Sequence, residues 1–245
     1  MEDTIKQLFL LPNFLGTKHP EAWLPIYFQH QLSNITGIIC ESYKSAELLI
    51  SRTILDEKVE LFLLNEHTQA KMGRLELDQF IDKHAYIGLL SDAGLPSIAD
   101  PGGSAVAVAH KKGIKVVPLP GANSMILALA ASGFNAQQFS FNGYLPIDNS
   151  KLNLELKSMI NIASKKNISQ IFMETPYRNV ALFNQIIRID ASKEVGLCIA
   201  VNMLDKNEWI KSITLAEWLI FSKQNDMDML LKKQPAVFVL GNFIA

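Results

Sequence analysis

The chain has few cysteines, no long apolar run and almost no net charge, and each of these absences excludes a class of protein. Its 245 residues include only two cysteines, Cys40 and Cys198, both inside apolar strand-like segments, so we expect buried reduced thiols and no disulfide framework. No apolar run approaches the roughly 18 residues that a membrane-spanning helix needs. The formal net charge of -1 argues against a surface that is basic throughout. We therefore expect a cytoplasmic protein, without a secretory signal or a membrane anchor, whose contacts with any polyanion are local.

What the sequence does contain is an alternation of apolar, strand-like segments with amphipathic ones. In the first half this βα alternation predicts about five strands in a mainly parallel sheet. After Pro120 the pattern changes to a helix of small residues and an irregular strand, and the later segments predict a mixed sheet. We expect two α/β domains, residues 1–118 and 119–245. The predicted strands cover residues 7–11, 36–40, 59–64, 85–90, 114–117, 139–146, 168–173, 196–203 and 236–242, and the predicted helices cover residues 21–32, 43–54, 65–83, 104–113, 124–133, 150–164, 177–189 and 214–223.

Two loops rich in glycine and proline follow two of the predicted strands. They read SDAGLPSIADPGG from Ser91 and VVPLPGANS from Val116. Ligands of open α/β sheets bind beyond the carboxyl ends of the strands, and glycine lets the backbone approach a ligand closely. The loops are therefore candidate ligand sites, although their spacing alone fits two ordinary βα turns equally well.

Five sequence blocks resemble the tetrapyrrole methylase superfamily, and within it the bacterial methyltransferases of a cytidine 2′-hydroxyl in 16S ribosomal RNA. In chain order the blocks are LLSDAGLPSIADPG, VVPLPGANS, ASGF, FSFNGYLP and IFMETPYRN, between Leu89 and Asn179. The resemblance implies the cofactor S-adenosyl-L-methionine, bound in a cleft between the two α/β domains. It also implies a ribosomal RNA substrate and a homodimer. We expect no metal.

The resemblance carries a set of cofactor-binding residues onto this chain. Asn123 and Ser124 lie at a helix start, where free N–H groups suit a carboxylate, and the adenosine half falls to residues of the second domain. For Met173 an ordinary core position is an equal alternative. The implied set is Pro12, Ser91, Ala93, Gly94, Leu95, Ile98, Gly121, Asn123, Ser124, Met173, Asn202 and Ala236.

The catalytic group is left open among three carboxylates. A ribose hydroxyl is a poor nucleophile, so a proton acceptor is expected beside it, and Asp92, Asp100 and Glu41 each follow a predicted strand or lie in the adjoining loop. Asp100 could equally cap the helix that begins near Ser104. Glu174 and Arg178 could contact substrate or pair with each other.

Several blocks depart from the usual pattern of these methyltransferases. The first loop is LPNFLGT where TPIGNLGD is usual, the block from Glu41 is ESYK in place of EDTR, and NMLDKNE replaces a signature of the ELTK type. These changes leave two alternatives open. One is a methylase of a small molecule such as a tetrapyrrole, and the other is a relative that binds the cofactor without catalysis.

Overall fold

The computed structural model describes residues 5–16, 30–56, 58–66, 68, 74–189 and 194–244. The chain divides into two compact units, Met1–Asn123 and Ser124–Ala245. Each unit is built around its own five-stranded sheet.

The sheet of the first unit is entirely parallel, with strand order β3-β2-β4-β1-β5. Its strands are β1 (Gln7–Leu11), β2 (Gly37–Cys40), β3 (Glu60–Leu63), β4 (Tyr86–Leu90) and β5 (Lys115–Pro118), and its described helices are α1 (Tyr43–Arg52), α2 (Arg74–Lys83) and α3 (Gly103–Lys111).

Apolar side chains on both faces hold this sheet in the interior. Every residue of β2 is buried, and the alternating residues Ile38 and Ile39 belong to separate apolar clusters. Strands buried on both faces are typical of parallel sheets covered by helices. The predicted helix at residues 21–32 lies almost wholly outside the described residues, and of the helix predicted at residues 65–83 the structure describes α2.

The sheet of the second unit is mixed, with strand order β6-β7-β10-β8-β9. Strand β6 runs parallel to β7, whereas β10 runs antiparallel to both its neighbours and β9 antiparallel to β8. The strands are β6 (Phe139–Tyr144), β7 (Ser169–Met173), β8 (Gly196–Val201), β9 (Trp209–Thr214) and β10 (Ala236–Gly241), and the helices are α4 (Ser124–Ser132), α5 (Asn149–Lys166), α6 (Asn179–Arg188), α7 (Leu215–Gln224) and α8 (Met227–Leu231).

Phe134, just after α4, fixes that helix on the second sheet. Gly133 ends the helix with a φ of +75°, and the buried ring of Phe134 lies over Gly196 and Gly241, which pair across β8 and β10. A Cβ on Gly196 would lie 2.4 Å from the Phe134 ring, and one on Gly241 would lie 2.7 Å from it. The two glycines therefore form the space that the ring fills.

The fold confirms the sequence-based prediction of one mainly parallel and one mixed α/β sheet. Cys40 and Cys198 are buried free thiols, as expected. Within the described residues, no helix has both the length and the apolar character needed to cross a membrane.

Candidate functional site

Four loops converge at the carboxyl edge of the parallel sheet in the first unit. They follow β2, β4, β1 and β5, which are consecutive neighbours in the sheet, while β3 lies outside them at one edge. Backbone bonds continue beyond the strands: the Glu41 N–H donates to Leu90 O at 3.2 Å, and the Leu119 N–H donates to Leu10 O at 3.2 Å. This edge therefore brings together every site residue predicted in the first unit up to Gly121.

Asn13 ties the loop after β1 to the loop after β4. Its side chain is buried, and its Nδ2 donates to Ser91 O at 2.7 Å and to Asp92 O at 3.2 Å. Its Oδ1 accepts the Phe14 N–H at 2.8 Å, and its own backbone N–H donates to Gly94 O at 2.8 Å. Asn13 thus holds the loop that carries the predicted cofactor residue Pro12 against the loop that carries Gly94.

A cluster of oxygen-bearing side chains lies at the ends of β2 and β4. The exposed carboxylate of Asp92 accepts hydrogen bonds from the hydroxyls of Ser42 and Ser45, at 2.6 and 2.7 Å from its Oδ1. Glu41 Oε2 accepts the backbone N–H of Asp92 at 3.0 Å. The structure therefore brings together two of the three candidate catalytic carboxylates, Glu41 and Asp92.

Burial raises the pKa of Glu41 above its usual value, and the negative charges of Asp92, Asp100 and Glu66 add to the effect. The bond from the Asp92 N–H opposes the shift in part. A carboxylate with a raised pKa takes up a proton at a pH closer to neutrality, which suits a proton acceptor in catalysis.

The loop from Gly94 to Asp100 has an unusual backbone. Gly94, Ser97 and Ala99 have φ values of +70°, +70° and +64°, a region that side chains other than glycine rarely adopt. Asp100 stabilises this conformation, because its Oδ1 accepts the N–H groups of Ser97 at 3.0 Å and Gly102 at 2.7 Å.

Asp100 does not cap α3 as its position allowed. The helix begins after Gly102, whose position has no side-chain cap, and Asp100 holds the preceding loop instead. Burial raises the pKa of Asp100, and its Oδ2 is buried with no hydrogen-bond partner among the described residues. Asp100 is thus both a loop-forming residue and a buried polar group with spare bonding capacity.

An open, mostly apolar cavity of about 520 Å³ lies beside these loops. Its volume falls within the roughly 300–1,000 Å³ typical of small-molecule pockets. The predicted cofactor residues Leu95 and Ile98 line it, and the complete lining is Leu10, Leu95, Pro96, Ser97, Ile98, Pro118, Leu119 and Pro120.

Gly121 allows the loop after β5 to pack directly on the loop after β1. A Cβ at Gly121 would lie 2.1 Å from Cβ of Pro12, so no other residue fits there without movement of the backbone. Asn123, at the end of this loop, is buried.

Three of the site residues predicted in the second unit, Met173, Asn202 and Ala236, share one end of its sheet. Met173 ends β7 and Ala236 begins β10, and Asn202 follows Val201, the register partner of Ala236. Asn202 has a φ of +50° and is held by its N–H to Pro235 O at 3.0 Å and by its Nδ2 to Gln234 Oε1 at 2.9 Å.

Ser124 is the first residue of α4, in agreement with the helix start predicted there. Met173 is half-buried and packs on the apolar cluster that includes Met125 and Met203. Glu174 and Arg178 form an ion pair, with Arg178 Nη2 3.0 Å from Glu174 Oε2. Of the two alternatives that the sequence left open for these residues, mutual pairing is present.

Sequence reasoning missed Asn13, Ser42 and Ser45. Their contacts with Ser91 and Asp92 span 47 to 79 residues of chain, so no local pattern reveals them. The available signal was position, because all three directly follow predicted strands or open the next helix. Among the described residues, no three His, Cys, Asp or Glu side chains come together as a metal site would require.

The chain is similar in sequence to curated ribosomal RNA methyltransferases. It is 32% identical over 216 residues to the ribosomal RNA small subunit methyltransferase I of Buchnera aphidicola subsp. Acyrthosiphon pisum, which covers 86% of this chain and 72% of that protein. The protein of the same name from Halalkalibacterium halodurans is 32% identical over 167 residues, covering 68% of this chain and 55% of its own length. For the Vibrio cholerae protein the values are 30% over 195 residues, 80% and 65%. The chain thus spans between about half and two thirds of the length of the latter two relatives. No protein-family model matches the chain.

Solved structures share the fold at low sequence identity. Diphthine synthase superposes with a TM-score of 0.62 at 14% identity, over 96% of this chain and 89% of that one. A uroporphyrin-III C-methyltransferase from Thermus thermophilus, solved in complex with S-adenyl homocysteine, gives a TM-score of 0.52 at 15% identity, over 96% and 97%. At these identities the likeness concerns the fold alone. On its sequence similarity, with a fold in agreement, the chain belongs to the ribosomal RNA small subunit methyltransferase I family.

Proposed function

We propose that this protein is a methyltransferase that uses S-adenosyl-L-methionine to methylate a ribose hydroxyl of ribosomal RNA. The observation that carries the proposal is the match to the Buchnera relative, which extends over most of both chains. The loops at the carboxyl edge of the first sheet support it, because a ligand-sized cavity lies beside them and two of the residues implied by the family resemblance, Leu95 and Ile98, line it.

The residues of the first unit fit a cofactor of this kind. An adenosine carrying a methionine needs apolar walls, close backbone approach and a few polar groups. The cavity beside Leu95 and Ile98 supplies apolar walls, and Gly94 leaves space where a Cβ would lie 3.3 Å from Ala122 O. The buried, unpartnered Oδ2 of Asp100 offers one polar contact.

The proposed binding residues divide between the two units. In the first unit they are Pro12, Ser91, Ala93, Gly94, Leu95, Ile98, Gly121 and Asn123, and in the second they are Ser124, Met173, Asn202 and Ala236. We propose that the amino-terminal end of α4, which begins at Ser124, lies against the carboxylate of the methionine part. The apolar side chain of Met173 would contact the adenosine part.

Methyl transfer asks the protein chiefly to align the nucleophile and accept its proton. The bound cofactor supplies an activated methyl group on a sulfonium. We propose Glu41 as the proton acceptor, because its pKa is raised and one of its carboxylate oxygens is already fixed by the Asp92 N–H. Asp92, held by Ser42 and Ser45, would position substrate beside Glu41.

The substrate is tested by incubating the protein with S-adenosyl-L-methionine labelled on its methyl group and small ribosomal subunits from cells lacking the protein. We expect label in RNA, recovered after nuclease digestion as a 2′-O-methylated nucleoside. Binding of RNA through phosphates also predicts that substrate affinity falls steeply with added salt.

Three results would contradict the proposal. Label in a small heteroaromatic molecule, with no salt dependence, would identify a small-molecule methylase instead. Cofactor binding by calorimetry without label in any fraction would identify an inactive relative. Neither heat nor a thermal shift at millimolar cofactor would refute the cofactor assignment itself.

We further propose a cytoplasmic homodimer. The resemblance to the methyltransferase family supports the dimer, and a ribosomal RNA substrate supports the location. Light scattering coupled to size-exclusion chromatography tests the dimer, since a monomeric mass at micromolar protein would contradict it.

A further inference from the structure

Three segments with exposed aromatic and basic side chains meet at one end of the second sheet. Tyr144 ends β6, and its register partner is Met173 at the end of β7. Tyr177 lies four residues after Met173 along the chain, and Lys233 lies in the loop before β10. We call Tyr144, Ile147, Tyr177 and Lys233 the tyrosine surface.

Hydrogen bonds hold these three segments together. The Lys233 N–H donates to Pro176 O at 2.9 Å, and Asn179 Nδ2 donates to Gln234 O at 2.6 Å. Arg178 Nη2 approaches Pro146 O at 3.5 Å, beside Ile147. The position of the surface is therefore set by ordered backbone and not by a single loose loop.

The apolar parts of this surface are exposed to an unusual degree. Tyr144 is 60% exposed, Tyr177 is 77% exposed and Ile147 is 80% exposed. Lys233 Nζ lies 5.9 Å from the centroid of the Tyr177 ring, within the range of a cation–π contact. Exposed aromatic rings beside cations are the groups on which unpaired bases stack while phosphates are neutralised.

We propose that the tyrosine surface binds single-stranded RNA by stacking a base on Tyr177, and that Tyr144 and Lys233 contribute to the same site. This inference rests on the proposed function, since it assigns part of the RNA substrate to the sheet end that carries Met173. RNA bound here would run next to the proposed cofactor residues of the second unit, as a substrate held for methyl transfer requires.

Two cations beside the tyrosine surface are already paired with carboxylates. Arg178 is paired with Glu174 at 3.0 Å, and Lys232 is paired with Asp228 at 3.2 Å, so both cations already contact carboxylates. Stacking depends little on salt, whereas phosphate contacts depend on it strongly. We expect the contribution of Tyr177 to persist at raised salt.

The test uses the full chain and a fluorescein-labelled oligocytidylate of about 12 nucleotides, a length within the range of single-strand binding sites. Fluorescence anisotropy should report a loss of affinity of about tenfold or more in Tyr177→Ala. Tyr177→Phe keeps the ring and should stay within about twofold of the unmodified protein. Phe139→Ala removes an aromatic that is 43% exposed at the opposite end of β6, and it should also leave affinity unchanged.

Calorimetry with S-adenosyl-L-methionine and light scattering on the same variants complete the experiment. Unchanged RNA affinity in Tyr177→Ala would overturn the proposal, as would an equal loss of RNA and cofactor binding. A change in oligomeric mass would overturn it as well, by making the surface an interface between copies of the chain. If Tyr177→Ala loses RNA affinity while no form of the protein transfers a methyl group, the tyrosine surface stands and the proposed function fails.

Discussion

Replacing Asn13 by alanine should loosen the candidate site far more than the loss of one surface amide would. The variant removes two donors, to Ser91 O and Asp92 O, and the acceptor of the Phe14 N–H. Each buried hydrogen bond contributes about 0.5–1.5 kcal/mol net, so three give a loss of about 2–3 kcal/mol, with the 3.2 Å bond counted at the low end. We expect amide exchange in the loops after β1 and β4 to accelerate by about 30- to 150-fold.

Hydrogen exchange with mass spectrometry measures this effect, because it resolves the two units that tryptophan fluorescence would average. Asn135→Ala is the matched control: its Nδ2 donates to Asn167 O at 2.7 Å and its Oδ1 accepts the Gln137 N–H at 2.9 Å, but these bonds are exposed to solvent. Its effect should stay below about 1 kcal/mol. Equal protection of the two loops in Asn13→Ala and in the unmodified protein would refute the role of Asn13 as a tie between them.

Three further predictions concern pH, backbone conformation and thiol reactivity. The raised pKa of Glu41 means that its ionisation destabilises the fold as pH rises. Glu41→Gln should therefore increase the melting temperature at pH 8, lose this advantage below about pH 4 and abolish methyl transfer. A gain in melting temperature that grows toward low pH would contradict this prediction. Gly94→Ala should lower the free energy of unfolding by about 1 kcal/mol and weaken cofactor binding, whereas Gly113→Ala, at nearly the same φ of +69° but in open space, should lower it by a similar amount and leave cofactor binding intact. Thermal melts measure the change in stability and calorimetry measures the change in cofactor affinity. Equal cofactor affinity in the two variants would exclude Gly94 from the site. Burial raises the pKa of Cys40 and of Cys198 to about 12. Neither thiol should therefore react with a disulfide reagent at pH 8 until urea unfolds the protein. Rapid labelling of the native chain would contradict this prediction, because it would show that the thiols are accessible.

The sequence predicts the buried elements of this fold well and the exposed ones poorly. Apolar runs such as β2 and β10 are buried along their whole length, so composition alone identifies them. Strand β9 was missed because WIKSIT is neither a continuous apolar run nor a regular alternation, and it lies half-buried at the sheet edge. The five-residue helix α8 is too short for a periodic pattern. Strand β8 ends two residues before its predicted limit, because Asn202 takes a left-handed conformation.

The candidate site, too, was predictable from the sequence only in part. Glycine and proline mark its loops in the sequence, and the structure places Glu41 and Asp92 together as expected for neighbouring strand ends. The ties made by Asn13 were not predictable, because its partners lie 78 and 79 residues away and depend on which strands become neighbours. A short polar side chain is recognisable as structural only once its distant acceptors are known.

The fit of Phe134 over Gly196 and Gly241 has an evolutionary consequence. A methyl group at either glycine would collide with the ring, whereas a smaller side chain at position 134 would leave an empty space over both strands. Acceptable changes at these three positions should therefore arise as compensated pairs. In other members of the family, an alanine at position 196 or 241 is expected to accompany a side chain smaller than phenylalanine at position 134.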